Sequence, residues 1–263
     1  MNLGLKDRVT IVTGSSQGIG KAIALGLSQE GAKVTICARN KDTLSNTAKE
    51  IQNQTGNDVL PIKADLTKRE EIDNLVAQTF DHFKRIDVLV NNAGGPPSTT
   101  FMKTSDQHWQ DSYKTLLMSV VHACRAVIPH MQRAKWGRII NMTSFVAKQP
   151  YDRLILSNTL RAGVFGLSKT LSNELAPYNI LVNAVCPGWT LTKRVEELAE
   201  TRAKTDGKTP EELMKSWENQ IPLKRLAKPS EIADLVVFLA SERASYITGA
   251  VTQVDGGVIK SLY

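Results

Sequence analysis

The first residues that could do chemistry are three glycines near the N-terminus, separated by three residues and then by one. They follow an apolar, β-branched run and precede a helical pattern. A turn without side chains between a strand and a helix lets the backbone approach a pyrophosphate, whose charge the helix N-terminus favours. The turn is therefore predicted to bind a nucleotide through Gly14, Ser15, Ser16, Gly18, Ile19 and Gly20.

Such a turn needs a strand before it and a helix after it, and the rest of the chain repeats this alternation. Short apolar runs predict strands at 8–13, 33–38, 59–63, 88–91, 138–142, 181–186 and 251–254. Periodic segments predict helices at 21–30, 42–55, 68–83, 106–133, 156–176 and 229–240. We therefore expect an α/β fold with a single Rossmann-type, doubly wound parallel sheet and helices on both faces. No linker divides the series, which predicts one domain over 1–263.

One segment departs from this alternation. Residues 193–221 are rich in Lys, Arg and Glu, and they include a strong helix start, in which Thr209 is the cap, Pro210 follows and Glu212 closes a capping box. The segment follows the carboxyl end of the predicted strand 181–186, where open α/β sheets bind ligands. We therefore predict a helical substrate lid at about 193–221.

The composition is that of a globular protein. The chain has 263 residues, of which 41% are hydrophobic and 22% charged, which excludes intrinsic disorder. Its apolar runs fall well short of the roughly 20 residues that cross a bilayer, and its N-terminus lacks the pattern of a signal peptide. We expect a soluble, cytoplasmic protein with no membrane partner.

The net charge and the cysteines point to no special partner. Lys and Arg number 33 against 26 acids, and the net charge of +7 favours anionic ligands, but the basic residues are dispersed along the chain. We therefore predict no nucleic-acid partner. The widely separated Cys37, Cys124 and Cys186 are predicted to be reduced core thiols, and no metal site is expected.

Further short motifs follow the glycine turn in order. They are Asp65, Asn91-Asn92-Ala93-Gly94, Pro187-Gly188-Trp189-Thr190-Leu191-Thr192 and Asp255-Gly256-Gly257. Together with the glycine turn, they resemble the short-chain dehydrogenase/reductase family, and within it the 3-oxoacyl-(acyl-carrier-protein) reductases. The resemblance implies a nicotinamide dinucleotide site with contacts from Asp65, Leu66, Asn92, Ala93, Gly94, Pro187, Gly188, Thr190 and Thr192.

The choice of dinucleotide depends on the end of the second predicted strand, which lies beside the expected adenosine ribose. Ala38 provides no acceptor for the two ribose hydroxyls, whereas Arg39 offers a fork of donors to a 2′-phosphate. The sequence therefore predicts NADP(H) in preference to NAD(H).

The catalytic positions depart from the family pattern. Ser144 keeps the family's serine, but Ser157 and Arg161 stand where the resemblance places a tyrosine and a lysine, and Leu116 stands where it places an asparagine. The chain therefore resembles a divergent branch that lacks the Tyr-x-x-x-Lys motif. We predict catalytic roles for Ser144, Ser157 and Arg161, with Arg161 also able to contact the cofactor ribose.

These replacements leave the proton donor open, because a serine hydroxyl is far less acidic than a tyrosine and arginine does not share the proton chemistry of lysine. Tyr113 and Tyr151 are candidate substitutes, although ordinary packing and loop roles fit them better. The first hypothesis is an atypical short-chain reductase that transfers hydride between NADP(H) and a carbonyl or alcohol.

Two alternatives stay open. One is a lyase, isomerase or retro-aldol enzyme in which Arg161 stabilises an enolate, and the other is a non-catalytic nucleotide-binding protein. The family resemblance also implies a homotetramer built from the long helices 106–133 and 156–176 and the C-terminal strand.

Overall fold

The computed structural model describes residues 2–262 and contains a parallel sheet of seven strands in the order β3-β2-β1-β4-β5-β6-β7. The strands are β1 Val9–Val12, β2 Lys33–Ala38, β3 Val59–Lys63, β4 Val88–Asn91, β5 Gly137–Met142, β6 Ile180–Pro187 and β7 Val251–Val254. The α-helices are α1 Gly18–Gln29, α2 Lys41–Thr55, α3 Arg69–Phe83, α4 Asp106–Tyr113, α5 Ser119–Ala134, α6 Ile155–Leu175, α7 Lys193–Asp206, α8 Pro210–Gln220 and α9 Pro229–Ala240. The predicted fold class is confirmed.

Helices cover both faces of the sheet, and each face has its own apolar core. On one face α1, α2 and α9 pack against the strands, with Leu27 and Val236 fully buried. On the other face α3, α5 and α6 do the same, with Val127 and Ile139 fully buried. Burial on both sides is the reason that the strands read as continuous apolar runs. Strand order reverses between β1 and β4, and a ligand crevice is expected at that point.

The predicted lid segment forms two helices, α7 and α8, which pack through a third apolar cluster. The indole rings of Trp189 and Trp217 lie parallel at 4.3 Å between centroids. Thr209 caps α8 as predicted, since its hydroxyl accepts from the Glu212 amide at 3.1 Å while the Glu212 carboxylate accepts from the Thr209 amide at 2.9 Å. The two helices are thereby held over the carboxyl edge of the sheet.

The helix predicted over 106–133 is not continuous. A π-helical turn, Lys114–Met118, separates α4 from α5, and the Ser119 amide closes it by donating to the Lys114 carbonyl. Two hydroxyls bond back to the preceding turn here: Thr115 to the Asp111 carbonyl at 2.8 Å and Ser119 to the Thr115 carbonyl at 2.5 Å. Such back-bonding competes with the regular helical ladder and bends it.

A group of ionised residues lies at the amino ends of the central strands. Asp87, which is 1% exposed, accepts hydrogen bonds from Arg8 at 3.1 Å and from Arg85 at 2.7 and 2.6 Å. It also accepts from the Val9 amide at 2.8 Å. The carboxylate therefore links the start of β1 to the start of β4 and is fully hydrogen-bonded.

Glu242 extends the same group beyond α9. It accepts from Arg8 at 2.8 Å and from the Trp136 indole at 3.0 Å, and it lies 3.6 Å from Arg138. The guanidinium groups of Arg8 and Arg138 lie 3.7 and 4.2 Å from the Trp136 ring centroid. We call Arg8, Arg85, Asp87, Trp136, Arg138 and Glu242 the amino-edge cluster.

Among residues 2–262, no helix combines the length and the apolar content that crossing a bilayer requires.

Candidate functional site

A cavity of about 260 Å³ lies at the carboxyl edge of the sheet. Its wall combines the glycine turn after β1, the loops after β4, β5 and β6, the first turns of α6 and the start of α7. The predicted site residues on this wall are Gly14, Gly18, Ile19, Gly20, Asn92, Ala93, Gly94, Ser144, Ser157, Arg161, Pro187, Gly188, Thr190 and Thr192. The structure therefore brings most of the predicted binding residues and all of the predicted catalytic residues into one space.

The glycine turn is shaped by contacts that exclude side chains. A Cβ on Gly20 would lie 2.4 Å from the Gly14 carbonyl oxygen, and Gly14 itself has a φ of +56°. Asn92 holds the turn in place, because its side-chain amide donates to the Thr13 and Gly14 carbonyls at 3.2 and 3.0 Å. Among the described residues, no side chain caps the N-terminus of α1, so the first amides of the helix are free to bind an anion. The turn thus fits the pyrophosphate of a dinucleotide.

The two serines of the turn lie outside the cavity wall. Ser15 is fully buried, and its hydroxyl donates to the Val12 carbonyl at 2.6 Å and accepts from the Cys37 amide at 3.1 Å. The expected hydroxyl support for a phosphate does not fit this placement, because the side chain stabilises the start of the turn instead. Ser16 is half-buried, and its carbonyl accepts from Thr47 at 2.8 Å.

Arg39 and Asp65 lie beyond the glycine turn, after the ends of β2 and β3. Arg39 is exposed. Partial burial acts to raise the pKa of Asp65, but hydrogen bonds from Thr67 and the positive charges of Arg39 and Lys68 outweigh it and lower this pKa. Arg39 is thus close enough to influence an acid at the same edge of the sheet. Leu66 lies in a small recess next to the cavity, together with Leu116 and Arg161.

Arg161 is held by neutral groups. Its Nε donates to the Ser157 hydroxyl at 3.1 Å, and its Nη1 donates to the Met142 and Thr143 carbonyls at 3.2 and 3.1 Å. Arg161 is 9% exposed. Burial and, to a smaller extent, the positive charge of Arg194 lower the pKa of its guanidinium to about 10. At neutral pH Arg161 is therefore a fixed positive charge beside the Ser157 oxygen.

Two hydroxyls accompany this charge on the cavity wall. Ser157 is 7% exposed and accepts from Arg161, so its own proton is free to be donated elsewhere. Ser144 accepts a long hydrogen bond of 3.4 Å from the Val146 amide and caps the short turn Phe145–Ala147. Both hydroxyls can donate to a ligand oxygen in the cavity.

The candidate substitute tyrosines do not reach this space. Tyr113 is 45% exposed on α4 and is absent from the cavity wall. The Tyr151 hydroxyl donates to the Gln220 side chain of α8 at 3.4 Å, and its ring packs against Trp189 at 5.3 Å. Tyr151 therefore has the loop role that the sequence favoured, whereas Tyr113 is largely exposed on α4.

A cavity residue that sequence reasoning missed is Arg194, the second residue of α7. It is half-buried on the cavity wall, and its Nη2 donates to the Pro96 carbonyl in the loop after β4. Burial lowers its pKa, while Glu197 opposes this shift. Its position two residues after Thr192 could have indicated a place near the predicted site. The surrounding segment is rich in charged residues, however, so the sequence favoured a solvated surface for Arg194.

The three cysteines are buried, and none of them lines the cavity. Cys37 and Cys124 are buried, and burial raises the pKa of each thiol to about 12. Burial also raises the pKa of Cys186. Within the described part of the chain, no group of three His, Cys, Asp or Glu side chains is placed to hold a metal ion.

Known proteins resemble this chain over its whole length. The sequence model of the family described as enoyl-(acyl carrier protein) reductase matches residues 14–259. The 3-oxoacyl-(acyl-carrier-protein) reductase of Aquifex aeolicus (strain VF5) is 35% identical over 258 residues, which is 98% of this chain and 100% of the relative.

Solved structures agree with these relatives. L-sorbose reductase from Gluconobacter frateurii, complexed with NADPH and L-sorbose, is 36% identical with a TM-score of 0.95, and the match covers 100% of both chains. An NADPH-dependent reductase involved in bacilysin biosynthesis is 31% identical with a TM-score of 0.93, over 98% of this chain and 100% of that one. With the glycine turn, the ordered motifs and the sheet order, these matches establish that the chain belongs to the short-chain dehydrogenase/reductase family.

Proposed function

We propose that this protein is an NADPH-dependent carbonyl reductase, which keeps the family's serine as Ser144 and uses Ser157 and Arg161 in place of the family's tyrosine and lysine. One observation carries the proposal: a single cavity joins the glycine turn to these three side chains. In the reaction, a ketone or aldehyde, NADPH and one proton give an alcohol and NADP⁺. The related L-sorbose reductase, solved with NADPH and a sugar, supports this class of reaction.

NADPH, when bound, supplies the hydride. The glycine turn and the N-terminus of α1 are suited to its pyrophosphate, and the loop from Pro187 to Thr192 borders the same cavity. Arg39, exposed and close to Asp65, supports the choice of NADPH because it offers a charge to a 2′-phosphate. We assign Ser16 and Leu66 to the surroundings of this cofactor site.

In the Ser157–Arg161 pair, a hydroxyl beside a fixed positive charge takes the place of the family's tyrosine and lysine. Arg161 donates to the Ser157 oxygen at 3.1 Å, which directs the serine proton away from the guanidinium. As negative charge develops on the substrate oxygen, the Ser157 hydroxyl donates a hydrogen bond to it, and the buried positive charge of Arg161 stabilises it. The final proton comes from water through the Ser157 hydroxyl.

Ser144 supplies a second hydrogen bond to the same oxygen. Its oxygen already accepts from the Val146 amide, so its hydroxyl proton is available to the substrate. Two donors and one charge around a developing oxyanion make a preorganised site, in which removal of one donor is expected to reduce the rate by about 10²- to 10³-fold.

We also propose that the whole chain acts as one domain, with 193–221 as its substrate lid. Two observations support the lid: Arg194 of α7 lines the cavity and bonds to the loop after β4, and Trp217 of α8 stacks on Trp189, which lines the cavity in the loop after β6. The free, buried cysteines suit the reducing cytoplasm, where we place the protein.

We further propose a homotetramer. The exposed residues of α6 include Ala162, Gly163 and Gly166, and such a flat surface allows a second helix to approach closely. Light scattering should give a mass about four times the 28.9 kDa of one chain. A monomer mass at micromolar concentration would contradict this assembly.

The reductase proposal is tested by following NADPH oxidation with a panel of ketones and aldehydes. We expect turnover with at least one compound and a loss of about 10²-fold or more in Ser157→Ala. Product formation without NADPH oxidation would instead favour the lyase or isomerase, and NADPH binding without any turnover would favour a non-catalytic protein.

Cofactor choice is tested by calorimetric titration of NADPH and NADH. Arg39→Ala should lose most of the preference for NADPH, because the variant lacks the charge that faces the 2′-phosphate. Arg69→Ala on α3, which removes another exposed arginine, is the matched control and should keep the preference. An unchanged preference in Arg39→Ala would contradict the assignment.

A further inference from the structure

Two arginines of the cavity wall are held only by neutral groups in the contacts described above. Arg161 donates to one hydroxyl and two backbone carbonyls, and Arg194 donates to the Pro96 carbonyl. We call Arg161 and Arg194 the carboxyl-edge arginines. They are close enough for the charge of Arg194 to lower the pKa of Arg161. The wall therefore concentrates positive charge that its own hydrogen bonds do not neutralise.

The groups around them do not neutralise this charge either. Among the described residues that line the cavity there is no Asp or Glu, and Lys193 adds another cation. Glu197 of α7 acts on the pKa of Arg194, but it is exposed and lies off the cavity wall, and no ion pair between the two is found among the described residues. The Cys186 thiol near Arg161 is buried, and its raised pKa keeps it neutral.

A buried charge without a counter-charge destabilises a fold, and proteins normally pair such groups. Arg8, Arg85 and Arg138 show the usual solution in this same chain, since Asp87 and Glu242 face them. The carboxyl-edge arginines lack such partners. The physical reason to keep them in a cavity is an anion that arrives with the ligand.

The anion could be a cofactor phosphate or a group on the substrate, and the placement of Arg194 favours the substrate. The pyrophosphate is already served by the glycine turn and the start of α1. Arg194 belongs to the lid and bonds to the loop after β4, where its Nε lies 3.0 Å from the position of a Cβ on Gly95. Gly95 thus leaves room for the guanidinium between the lid and the loop.

We propose that the substrate is an oxo acid, whose carboxylate binds Arg194 while its carbonyl oxygen faces Ser144, Ser157 and Arg161. A guanidinium matches a carboxylate with two parallel hydrogen bonds, which would also orient the carbonyl. The carboxylate is unchanged in the reaction, since only the carbonyl carbon gains hydride and only its oxygen gains a proton. This inference rests on the reductase function and defines its substrate class.

The test compares each of several small 2- and 3-oxo acids with its methyl ester. Wild-type protein should reduce the preferred acid with a kcat/KM about 10- to 100-fold above that of the ester. Arg194→Gln should bring this ratio to within about threefold, mainly through a higher KM for the acid. Arg194→Lys, which keeps the charge but loses the fork, should have an intermediate ratio.

Two controls separate substrate binding from other causes. Arg69→Gln removes an exposed arginine of α3 and should keep the wild-type ratio. NADPH affinity, measured by fluorescence titration, should be the same in Arg194→Gln and wild-type protein. If Arg194→Gln instead weakens NADPH binding and leaves the acid-to-ester ratio unchanged, Arg194 serves a cofactor phosphate and the proposal is wrong.

The remaining outcomes keep this inference separate from the reductase function. Equal kcat/KM values for acids and esters in active wild-type protein would overturn the oxo-acid proposal and leave the reductase function intact. If no compound is reduced, calorimetric titration with the hydroxy acid and with its ester tests the anion site independently of turnover. Preferential binding of the acid that disappears in Arg194→Gln supports the anion site, and equal binding overturns it.

Discussion

The arginines at the two edges of the sheet have opposite electrostatic surroundings. In the amino-edge cluster, Arg8, Arg85 and Arg138 face the carboxylates of Asp87 and Glu242, and Trp136 lies between two of the guanidinium groups. At the carboxyl edge, Arg161 and Arg194 face a cavity and bond to neutral oxygens. Both sets include strongly buried side chains.

On our proposal, this difference separates arginines that stabilise the fold from arginines that bind a ligand. Burial lowers the pKa of both Arg138 and Arg161 to about 10, so pKa alone does not distinguish them. What distinguishes them is the carboxylate: a neighbouring arginine lowers the pKa of each, Arg8 for Arg138 and Arg194 for Arg161, but Glu242 acts to raise the pKa of Arg138. An arginine that the protein itself neutralises holds the fold together, and one that it leaves unneutralised is available to a ligand.

Removing the acid of the amino-edge cluster should have the largest effect on stability. Asp87→Asn removes the carboxylate that faces Arg85 and leaves Arg8 with Glu242 alone. Because Asp87 is buried whereas Arg85 is about half exposed, we expect a loss of about 2–3 kcal/mol, the range for charged hydrogen bonds. Urea unfolding should show this loss. Per folded molecule, NADPH-dependent turnover should be unchanged, because the cluster lies at the opposite edge from the cavity. A stability within 1 kcal/mol of wild type would show that the two edges are alike.

The reverse result is expected for Arg161→Met. Loss of the fixed charge should lower kcat/KM by about 10²- to 10³-fold, or roughly 3–4 kcal/mol of transition-state stabilisation. The free energy of unfolding should change by no more than about 1 kcal/mol, because the variant loses three hydrogen bonds but also the cost of a buried charge. Arg138→Met is the matched variant in the amino-edge cluster, and it should lose stability while its turnover per folded molecule is kept.

Strand and helix positions were largely predictable from the sequence. The observed bounds of β2, β3, β4, β7 and α9 are those that the apolar periods predict. The apolar pattern succeeds for β2 and β4 because their central residues are buried on both faces, and α9 is marked by the proline at which it begins. The edge strands β3 and β7 are partly exposed, and a short apolar run was enough to mark each of them. The glycine turn and the start of α8 were predictable because Gly14 and Thr209 have local backbone roles.

The remaining features depend on contacts that a local pattern does not contain. The π-helical turn at Leu116 accompanies hydroxyls that bond to their own helix, and nothing in the apolar period marks it. The inward hydroxyl of Ser15 depends on the meeting of β1 and β2. Arg194 could be recognised only from the fold, which places its guanidinium beside Pro96 on a cavity wall that has no Asp or Glu among the described residues.

The pH dependence of the reaction should sharpen the contrast further. The pKa of Arg161 is lowered to about 10, mainly by burial, so the guanidinium is positive throughout the neutral range. Activity requires the positive form, so kcat/KM should be level near neutral pH and fall as pH rises through about 10. Circular dichroism at each pH is the control for unfolding. A fall centred between pH 7 and 8 would mean that a group other than Arg161 controls the reaction.

The smallest effect is expected where an arginine is paired in solvent. Arg225 makes a two-pronged contact with Glu231, at 2.7 Å for each bond, and their side chains are 50% and 37% exposed. The hydrogen bond from Arg225, with a further bond from the Lys228 amide, lowers the pKa of Glu231 to about 2. Water screens such pairs, so Arg225→Gln should change stability less than either buried variant.

The sign of the remaining contribution follows from the lowered pKa of Glu231. A carboxyl whose pKa is lowered on folding stabilises the protein above its unfolded pKa, and this contribution is lost as pH falls towards about 2. The difference between wild type and Arg225→Gln should therefore be present at neutral pH and shrink below pH 4, near the ordinary pKa of glutamate. Carboxyl NMR should show the pKa of Glu231 rising in the variant. If the pKa of Glu231 is the same in Arg225→Gln as in wild-type protein, the Lys228 amide alone holds this pKa low. Arg225 then contributes no more than a solvated charge.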